Sequence, residues 1–250
     1  MDPSSGNHHL SSRLKETTRI EGLFNQLAKH YDLINRVLSW GIDQRWRKKL
    51  SAQLIITSPN MKLLDIATGT GDQIISLCKT HAAINSAIGI DLSENMLNIG
   101  RKKVKQRNLS SIIQLRKGNA THLPFNNNTV DIVSCSFGLR NIDDLPLALS
   151  EIRRVLKPGG QLLILEFSLP KNKVIKGMYL GYFRYILPVL GNLFSSHPDA
   201  YTYLNRSVEQ FPYGIVFADM LRDHQYTSVK VIPLSFGIST IYTAQKLKRD

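Results

Sequence analysis

Short apolar segments alternate with amphipathic segments from residue 62 to 168, and this alternation constrains the fold more than any other feature of the sequence. Apolar runs that are too short for helices, each followed by a turn and a helical pattern, are typical of βα units. Strands connected in this way lie parallel, with helices on both faces of the sheet. The five predicted strands span residues 62–67, 86–92, 111–118, 130–137 and 161–168.

The remaining segments complete a doubly wound α/β fold with a seven-stranded, mostly parallel sheet. Ser93 is predicted to cap a helix over 94–107. The helix over 145–156 is predicted to end at the turn Lys157–Gly160, because proline and paired glycines stop a helix. A terminal antiparallel hairpin is predicted over 230–236 and 239–246.

The same patterns predict the domain organisation. We expect residues 1–18 to be a disordered tail and residues 19–250 to form a single domain. Within that domain, residues 19–57 are interpreted as an N-terminal helical cap. Residues 170–225 do not fit the alternation, and we interpret them as a helical insertion that covers the substrate.

Charge and cysteine content narrow the function classes. The 250 residues include 32 basic and 19 acidic side chains, a formal net charge of +13. This charge favours an anionic partner, which is a nucleic acid, an acidic membrane face or an anionic substrate. Cys78 and Cys135 lie in apolar runs, so we expect buried thiols in a reducing cytosol rather than a disulfide. No His/Cys spacing predicts a metal site, and no apolar stretch reaches the ~18 residues of a membrane span.

A glycine-rich turn, DIATGTGD, ends the first predicted strand. Gly69 and Gly71 let the backbone turn tightly and approach a ligand without an intervening Cβ. In a dinucleotide site a pyrophosphate meets the helix that follows such a turn, and Asp72 would repel it. An acid at this place tolerates a ligand with cationic groups, such as a sulfonium and an amine. The turn therefore favours S-adenosylmethionine over NAD.

Polar residues follow the next three strands, at the edge where ligands bind in open α/β sheets. Asp91 ends strand two and is placed to accept the hydroxyls of a ribose. Asn119, beside Ala120 after strand three, either reads an adenine edge or closes an Asx-turn, and the pattern leaves both open. Residues 136–141 follow strand four, nearest to a reacting methyl group, and the alternative for this loop is turn chemistry in solvent.

Several segments match one known family. They are FNQLAKHYDLINRVLSWGIDQRW (24–46), LLDIATGTGD, GNATHLPF, SFGLRN, RRVLKPGG with LLILEFS, and YTYLNRSVEQFP (201–212). Through them, residues 20–247 resemble the ubiquinone/menaquinone biosynthesis C-methyltransferase family, most of all its demethylmenaquinone methyltransferases. The glycine-rich turn and KPGG occur in many methyltransferases, whereas the first and last segments and GLRN are far more specific.

The resemblance implies a class I, Rossmann-like methyltransferase that transfers a methyl group from S-adenosylmethionine to a ring carbon of a prenylated quinol. Carried over by motif, the cofactor contacts are Thr70, Asp91, Asn119, Ala120 and Ser136, with Gly69 and Gly71 in the turn. One position departs from the family pattern A-G-G-T-G-D, since Thr68 replaces the first glycine. We therefore expect the backbone at Thr68 not to need a positive φ.

Methylating an aromatic carbon needs an ionised hydroquinone, and the resemblance points to three catalytic residues. Arg140 suits phenolate stabilisation because it is permanently cationic. Asn141 orients a water, and Asp72 is either a general base acting through that water or a contact to the cofactor amine. Three tyrosines are candidates to line the ring pocket, with ordinary aromatic packing as the alternative. Tyr31 is expected on the cofactor side, and the other two are Tyr201 and Tyr203.

The resemblance leaves the substrate ring open. We favour demethylmenaquinol, and the alternative is the ubiquinone precursor 2-methoxy-6-polyprenyl-benzoquinol. We expect a cytoplasmic chain that attaches peripherally to the inner face of the membrane, aided by Lys171, Lys173 and Lys176. The basic segment 101–107 is interpreted as a solvated helix face. Whether the chain is a monomer or a homodimer is left open.

Three other functions are less compatible with the sequence. An RNA methyltransferase would carry an RNA-binding module or an N/D-P-P-Y/F loop after strand four, where this chain has SFGLRN, so we expect no nucleic-acid partner. The acid in the glycine-rich turn opposes an NAD oxidoreductase. Intact Asp72, Arg140 and Asn141 oppose a non-catalytic partner of other biosynthetic enzymes.

Overall fold

The computed structural model describes residues 18, 21–22, 24–26, 28, 32, 36, 39, 41–182 and 206–248. Tyr31, Tyr201 and Tyr203 lie outside the described residues, as do positions 1–17 of the predicted tail and the middle of the predicted helical insertion.

A seven-stranded sheet forms the centre of the molecule. Its strands are β1 (Met61–Ile66), β2 (Ile84–Asp91), β3 (Ile113–Lys117), β4 (Val130–Ser136), β5 (Leu156–Phe167), β6 (Tyr226–Leu234) and β7 (Ser239–Lys246). They lie in the order β3-β2-β1-β4-β5-β7-β6. β1 to β5 pair in parallel, whereas β7 pairs antiparallel with both β5 and β6. The predicted doubly wound sheet with a terminal hairpin is therefore confirmed.

Helices connect the parallel strands as the sequence pattern predicts, except that residues 118–129 join β3 to β4 without a helix. Those whose bounds the structure describes are α1 (Ile42–Ser51), α2 (Asp72–Thr80), α3 (Glu94–Gln106), α4 (Leu145–Val155), α5 (Lys173–Gly181) and α6 (Ile215–Asp223). The Ser93 hydroxyl accepts a hydrogen bond from the backbone N–H of Met96 at 3.2 Å, which confirms the predicted cap of α3. The described residues before Gly41, from Thr18 onward, are helical too, and Gly41 interrupts the helical path with a φ of 72°.

Apolar side chains form one layer on each face of the sheet, because successive residues of a strand point to opposite sides. On β1, Leu63 packs into the layer that contains α1, α2 and α3. Its neighbour Leu64 packs into the layer that contains α4 and α6. Cys78 and Cys135 are buried one in each layer and are not bridged, as expected.

The sequence predicts Lys157–Gly160 as a turn before the fifth strand, but the structure places this segment within the strand. It belongs to β5, which starts at Leu156 and pairs there with Val130 of β4. The next pair joins Ile132 to Gln161, so the extra residues of β5 form a bulge. A Cβ on Gly160 would lie 2.8 Å from the Lys157 carbonyl oxygen, so the bulge requires glycine there. The helix end itself was predicted to within one residue.

Asp65 places a carboxyl group inside the sheet, where β1 adjoins β4. Its side chain is only 1% exposed, and it accepts hydrogen bonds from the hydroxyls of Ser134 at 2.5 Å and Thr68 at 2.6 Å. Burial raises the pKa of Asp65 to about 6, although these two hydrogen bonds and the charge of Arg47 oppose the rise. The group therefore exchanges its proton near neutral pH in the folded protein.

We expect Asp65 to make stability depend on pH between 4 and 7. Because its folded pKa lies above the ordinary value of 3.8, its contribution is complete below that value and is lost as the pH rises through about 6. The free energy of unfolding, measured in urea and taken relative to Asp65→Asn, should fall by about 3 kcal/mol over this range. The exposed Asp219→Asn is the control and should follow wild type. A pH-independent difference between wild type and Asp65→Asn would contradict the assignment.

Candidate active site

The strand order reverses at β1, which has β2 on one side and β4 on the other. In open α/β sheets this reversal separates the connections that follow the two central strands and leaves a crevice at their carboxyl ends. A cavity of about 310 Å³ lies at this place. The described residues that line it include Glu21, Phe24, Ala67, Gly69, Asp91, Met96, Asn119, Ala120, Phe137 and Asn141. Each of the four loops singled out in the sequence contributes to its wall.

The glycine-rich turn after β1 has a strained backbone. Gly69 and Gly71 have φ values of 55° and 81°, and Ala67, at the start of the turn, has 46°. Thr68 lies outside the positive-φ region, as predicted, and its hydroxyl donates to Asp65 instead. The strain thus falls on Ala67. Its Cβ lies close to Gly138, because a Cβ built on Gly138 would come within 2.5 Å of the Ala67 Cβ.

Asp91 joins the turns that follow β1 and β2. One carboxylate oxygen accepts the backbone N–H of Gly69 at 2.8 Å, and the other accepts that of Ser93 at 2.9 Å. Burial raises the pKa of Asp91, and these backbone hydrogen bonds oppose the rise. The carboxylate is held rigidly at the cavity wall and retains further lone pairs, an arrangement that suits acceptance of two ribose hydroxyls.

Asn119 performs the turn role that the sequence left open and also borders the cavity. Its side-chain oxygen accepts the backbone N–H of Thr121 at 3.0 Å, which closes an Asx-turn. Asn119 and Ala120 both line the cavity, as does the apolar side chain of Met96. A polar edge beside an apolar slot fits a purine ring, so the two interpretations of Asn119 are compatible.

Thr70 and Ser136 lie on the other side of the glycine-rich turn, in a smaller cavity that also contains Gly69, Asp72 and Gln73. The Thr70 hydroxyl donates to Asp32 at 2.6 Å, and the Ser136 hydroxyl donates to Gln73 at 3.1 Å. Since Gly69 borders both cavities, the predicted cofactor contacts divide into a nucleoside group and a group at the start of α2.

Asp72 begins α2 and lies within a cluster of charged side chains. Its carboxylate is 2.7 Å from the Lys103 ammonium and 3.5 Å from the Arg36 guanidinium. Lys103 also contacts Asp32 at 2.6 Å and Thr70 at 2.9 Å. Burial alone would raise the pKa of Asp72, but the charges of Arg47, Lys103 and Arg36 hold it below its ordinary value. Asp72 is therefore an anion at neutral pH.

Lys103 is a site residue that the sequence analysis misinterpreted as part of a solvated helix face. Its side chain is only 22% exposed. The correction follows from helix geometry, because Lys103 lies three residues after the buried Gly100 and seven after the buried Met96 of α3. Positions at this spacing share one face, so periodicity could have identified the residue. Arg101 remains near solvent, where it pairs with Glu94.

The loop after β4 separates the predicted catalytic pair. Asn141 lines the larger cavity, and its amide nitrogen is 3.5 Å from the Phe137 carbonyl oxygen. Arg140 is not among the described residues that line this cavity. Its guanidinium, 5% exposed, pairs at 2.6 Å with the fully buried Glu166 and lies 5.2 Å from the centroid of the Phe167 ring.

Aromatic side chains surround this loop. Phe137, at the cavity wall, packs 4.5 Å from Phe167 and 6.2 Å from Trp46 between ring centroids. The Arg47 guanidinium lies 5.3 Å from the centre of the Phe137 ring. The result is an apolar wall backed by two buried guanidinium groups, which suits an aromatic ring that develops negative charge. The sequence analysis missed Trp46, Phe167 and Glu166, because the pairing of β5 with β4 brings Glu166 and Phe167 to the site and the packing of α1 against β5 brings Trp46.

Across the described ranges, no group of three or more His, Cys, Asp or Glu side chains is placed to hold a metal ion. The donor set instead fits S-adenosylmethionine: a fixed carboxylate for the ribose, a polar-edged apolar slot for the adenine and a second acid, Asp72, for an amine.

Comparison with known proteins agrees with this geometry. Residues 12–246 match the model of the ubiE/COQ5 methyltransferase family. A demethylmenaquinone methyltransferase from Bacteroides fragilis is 40% identical over 232 residues, which cover 93% of this chain and 94% of the relative. A ubiquinone/menaquinone biosynthesis C-methyltransferase UbiE from Geobacter sulfurreducens is 39% identical over 228 residues, covering 91% and 88%.

A solved structure has the same fold at low sequence identity. A SAM-dependent methyltransferase from Aquifex aeolicus superposes with a TM-score of 0.61 at 19% identity, covering 86% of this chain and 98% of that one. This likeness shows the class I methyltransferase fold. The family match and the near-complete coverage of the relatives go further, and the chain belongs to the ubiE/COQ5 methyltransferase family.

Proposed function

We propose that this chain transfers the methyl group of S-adenosylmethionine to a ring carbon of a prenylated quinol, with demethylmenaquinol as the substrate. The observation that carries the proposal is the 40% identity, over nearly the whole chain, with a demethylmenaquinone methyltransferase. The cavity supports it, because the nucleoside-type wall at Asp91 and the aromatic wall at Phe137 adjoin the same space. The benzoquinol precursor of ubiquinone is the second candidate, since another relative is named for both quinones.

The cofactor would lie with its nucleoside along the larger cavity and its amino-acid end toward α2. Asp91 accepts the ribose hydroxyls, while Asn119 and Ala120 face the adenine. Asp72 and Thr70 meet the amino-acid end. When bound, the cofactor supplies an electrophilic methyl group on its sulfonium. We assign Asp72 to the cofactor amine rather than to proton transfer, because its lowered pKa makes it a weak base.

The quinol ring would lie against Phe137 in this proposal. Asn141 lines the same cavity and would orient a water that takes up the phenolic proton and, once the ring carbon has gained the methyl group, the proton that this carbon loses. Arg140 would stabilise the phenolate by its charge from behind the cavity wall, where Glu166 holds the guanidinium 5.2 Å from the centre of the Phe167 ring. Glu166 is thus a positioning residue in this mechanism, acting through Arg140.

The substrate also suggests where the chain works. A prenylated quinol dissolves in the bilayer, so we propose a cytoplasmic chain that attaches peripherally to the inner face of the membrane. The formal charge of +13 supports this, because basic side chains are attracted to anionic lipid. Within the part of the chain that the structure describes, no helix is both long and apolar enough to cross a bilayer.

The proposed activity is tested by turnover of two quinols side by side. Short-tailed demethylmenaquinol and its benzoquinol counterpart are incubated with S-adenosylmethionine under reducing conditions, and products one methylene heavier are measured by mass spectrometry. We expect kcat/KM for the naphthoquinol to exceed that for the benzoquinol at least by about tenfold, which corresponds to about 1.4 kcal/mol. The reverse preference would move the substrate to the ubiquinone precursor, and methylation of neither would refute the activity.

Asp72→Asn should weaken cofactor binding more than it slows the chemistry. Loss of one charge-assisted hydrogen bond is worth about 1.5–3 kcal/mol, so Kd for S-adenosylmethionine should rise roughly tenfold to a hundredfold. At saturating cofactor, kcat should stay within a few-fold of wild type. Calorimetry gives Kd, and Glu94→Gln, which removes an acid from a surface ion pair of α3, is the matched control. An unchanged Kd with a large loss of kcat would make Asp72 the base.

Arg140 and Glu166 call for a double-variant test, because removing one partner of a buried ion pair also destabilises the fold. Arg140→Met alone should cost about 3 kcal/mol of unfolding free energy and reduce kcat at least by about a hundredfold. Adding Glu166→Gln removes the unpaired charge and should recover most of the stability but none of the turnover. Arg101→Met, in the exposed pair with Glu94, is the control and should change neither. Turnover that returns with stability would show that Arg140 is only structural.

A further inference from the structure

The turn between β6 and β7 exposes an aromatic side chain on a strained backbone. Phe236 is 81% exposed, with φ 59° and ψ 19°, and Ser235 before it has φ 45°. Left-handed conformations cost free energy for residues with a Cβ, and two in succession persist only when surrounding contacts enforce them. The fixed backbone thus holds a large apolar side chain out toward water, and its role depends on which other side chains share its surface.

Three hydrogen bonds hold the turn in place. The Trp46 indole N–H donates to the Ser235 hydroxyl at 3.0 Å. From the end of β5, the Ser168 hydroxyl donates to the Gly237 carbonyl at 2.7 Å, and the Ser168 backbone N–H donates to the Ile238 carbonyl at 3.0 Å. Phe236 therefore projects from a fixed support at the carboxyl edge of the sheet.

Helix α5 begins beside this turn. A Cβ on Gly237 would lie 3.4 Å from Cα of Pro170, three residues before the helix starts at Lys173. Within α5, the side chain of Tyr179 is buried. The side chains of Val174 and Met178 are 71% and 72% exposed and share one face of the helix. Basic side chains accompany them along the chain: Lys171, Lys173 and Lys176. We call Phe236, Val174 and Met178, with the flanking Lys171 and Lys173, the docking face; Lys176 is two residues from both Val174 and Met178 and lies on another side of α5.

The support of the Phe236 turn also contacts the wall of the candidate active site. Trp46, which holds Ser235, packs against Phe137, and Phe137 lines the larger cavity. Buried aromatic contacts thus link the turn that carries Phe236 to the proposed ring site.

We propose that the docking face binds the surface of an anionic lipid bilayer, with Phe236 inserted among the acyl chains. Exposed apolar side chains next to lysines complement a bilayer with anionic headgroups, in which apolar and charged layers adjoin. A second copy of this chain, with its net charge of +13, would bring further positive charge to these lysines instead of matching them. The inference rests on the proposed function, since a substrate that dissolves in lipid gives the site a reason to open there.

Co-sedimentation of the full chain with vesicles tests this docking. Vesicles contain either phosphatidylcholine alone or phosphatidylcholine with one-third phosphatidylglycerol, at low salt. Phe236→Asn removes the anchor but keeps a residue that tolerates the left-handed conformation, so the turn is preserved. We expect it to reduce partitioning onto anionic vesicles roughly tenfold. Lys171→Gln with Lys173→Gln should reduce it by about 30-fold on anionic vesicles only.

The matched control is Ile56→Asn, since Ile56 is 48% exposed but lies before β1, at the opposite edge of the sheet. It should bind vesicles as wild type does. Equal binding by wild type and Phe236→Asn, or no wild-type binding to anionic vesicles, would overturn the proposal. So would a wild-type dimer in sedimentation analysis that Phe236→Asn converts to a monomer, because the face would then bind a second copy.

The docking proposal and the proposed function fail separately. Methylation of a short-tailed quinol in buffer needs no membrane, so Phe236→Asn should leave it unchanged while it slows methylation of a long-tailed quinol in vesicles. If wild type failed to methylate the short-tailed quinol, the proposed activity would be refuted, whereas the proposal of vesicle binding would stand.

Discussion

The reversal of strand order at β1 is the constraint on which the site depends. Because β2 and β4 flank β1, the connections that leave the central strands go to opposite faces of the sheet and open a crevice between them. Asp65 and Asp91 end β1 and β2 at this opening, and each holds its neighbouring turn through hydrogen bonds. The backbone strain at Ala67 is maintained by these contacts, so the cavity wall is preorganised before any ligand arrives.

Charge at the site occurs mainly in pairs. Asp72 is matched by Lys103, and Arg140 is matched by Glu166 across the end of β5. A paired charge costs less to bury than a single one, and it remains ionised when the surroundings exclude water. The pairs differ in exposure: the side chains of Lys103 and Asp72 are 22% and 18% exposed, whereas those of Arg140 and Glu166 are 5% and 0% exposed.

Much of the fold could be predicted from local patterns. The positions of the strands, the cap at Ser93 and the hairpin all follow from periodicity and turn chemistry, which act over a few residues. The segment Lys157–Gly160 shows the limit, because its proline and glycines suit both a helix stop and a strand bulge, and only pairing with β4 selects the bulge. Lys103 shows a second limit, since its partners Asp72 and Asp32 are remote in sequence.

The sequence by itself determined which chemical groups follow each strand, namely the glycine-rich turn, Asp91, Asn119 and the loop that carries Asn141. Each group lies at the end of its strand because a turn is a local structure. Parallel strands then bring these groups together, because their carboxyl ends lie at one edge of the sheet. Only the tertiary structure decided which groups pair, that Arg140 turns to Glu166, and that Phe236 is left exposed beside α5. Those outcomes depend on contacts between residues far apart in the chain, for which the local pattern carries no preference.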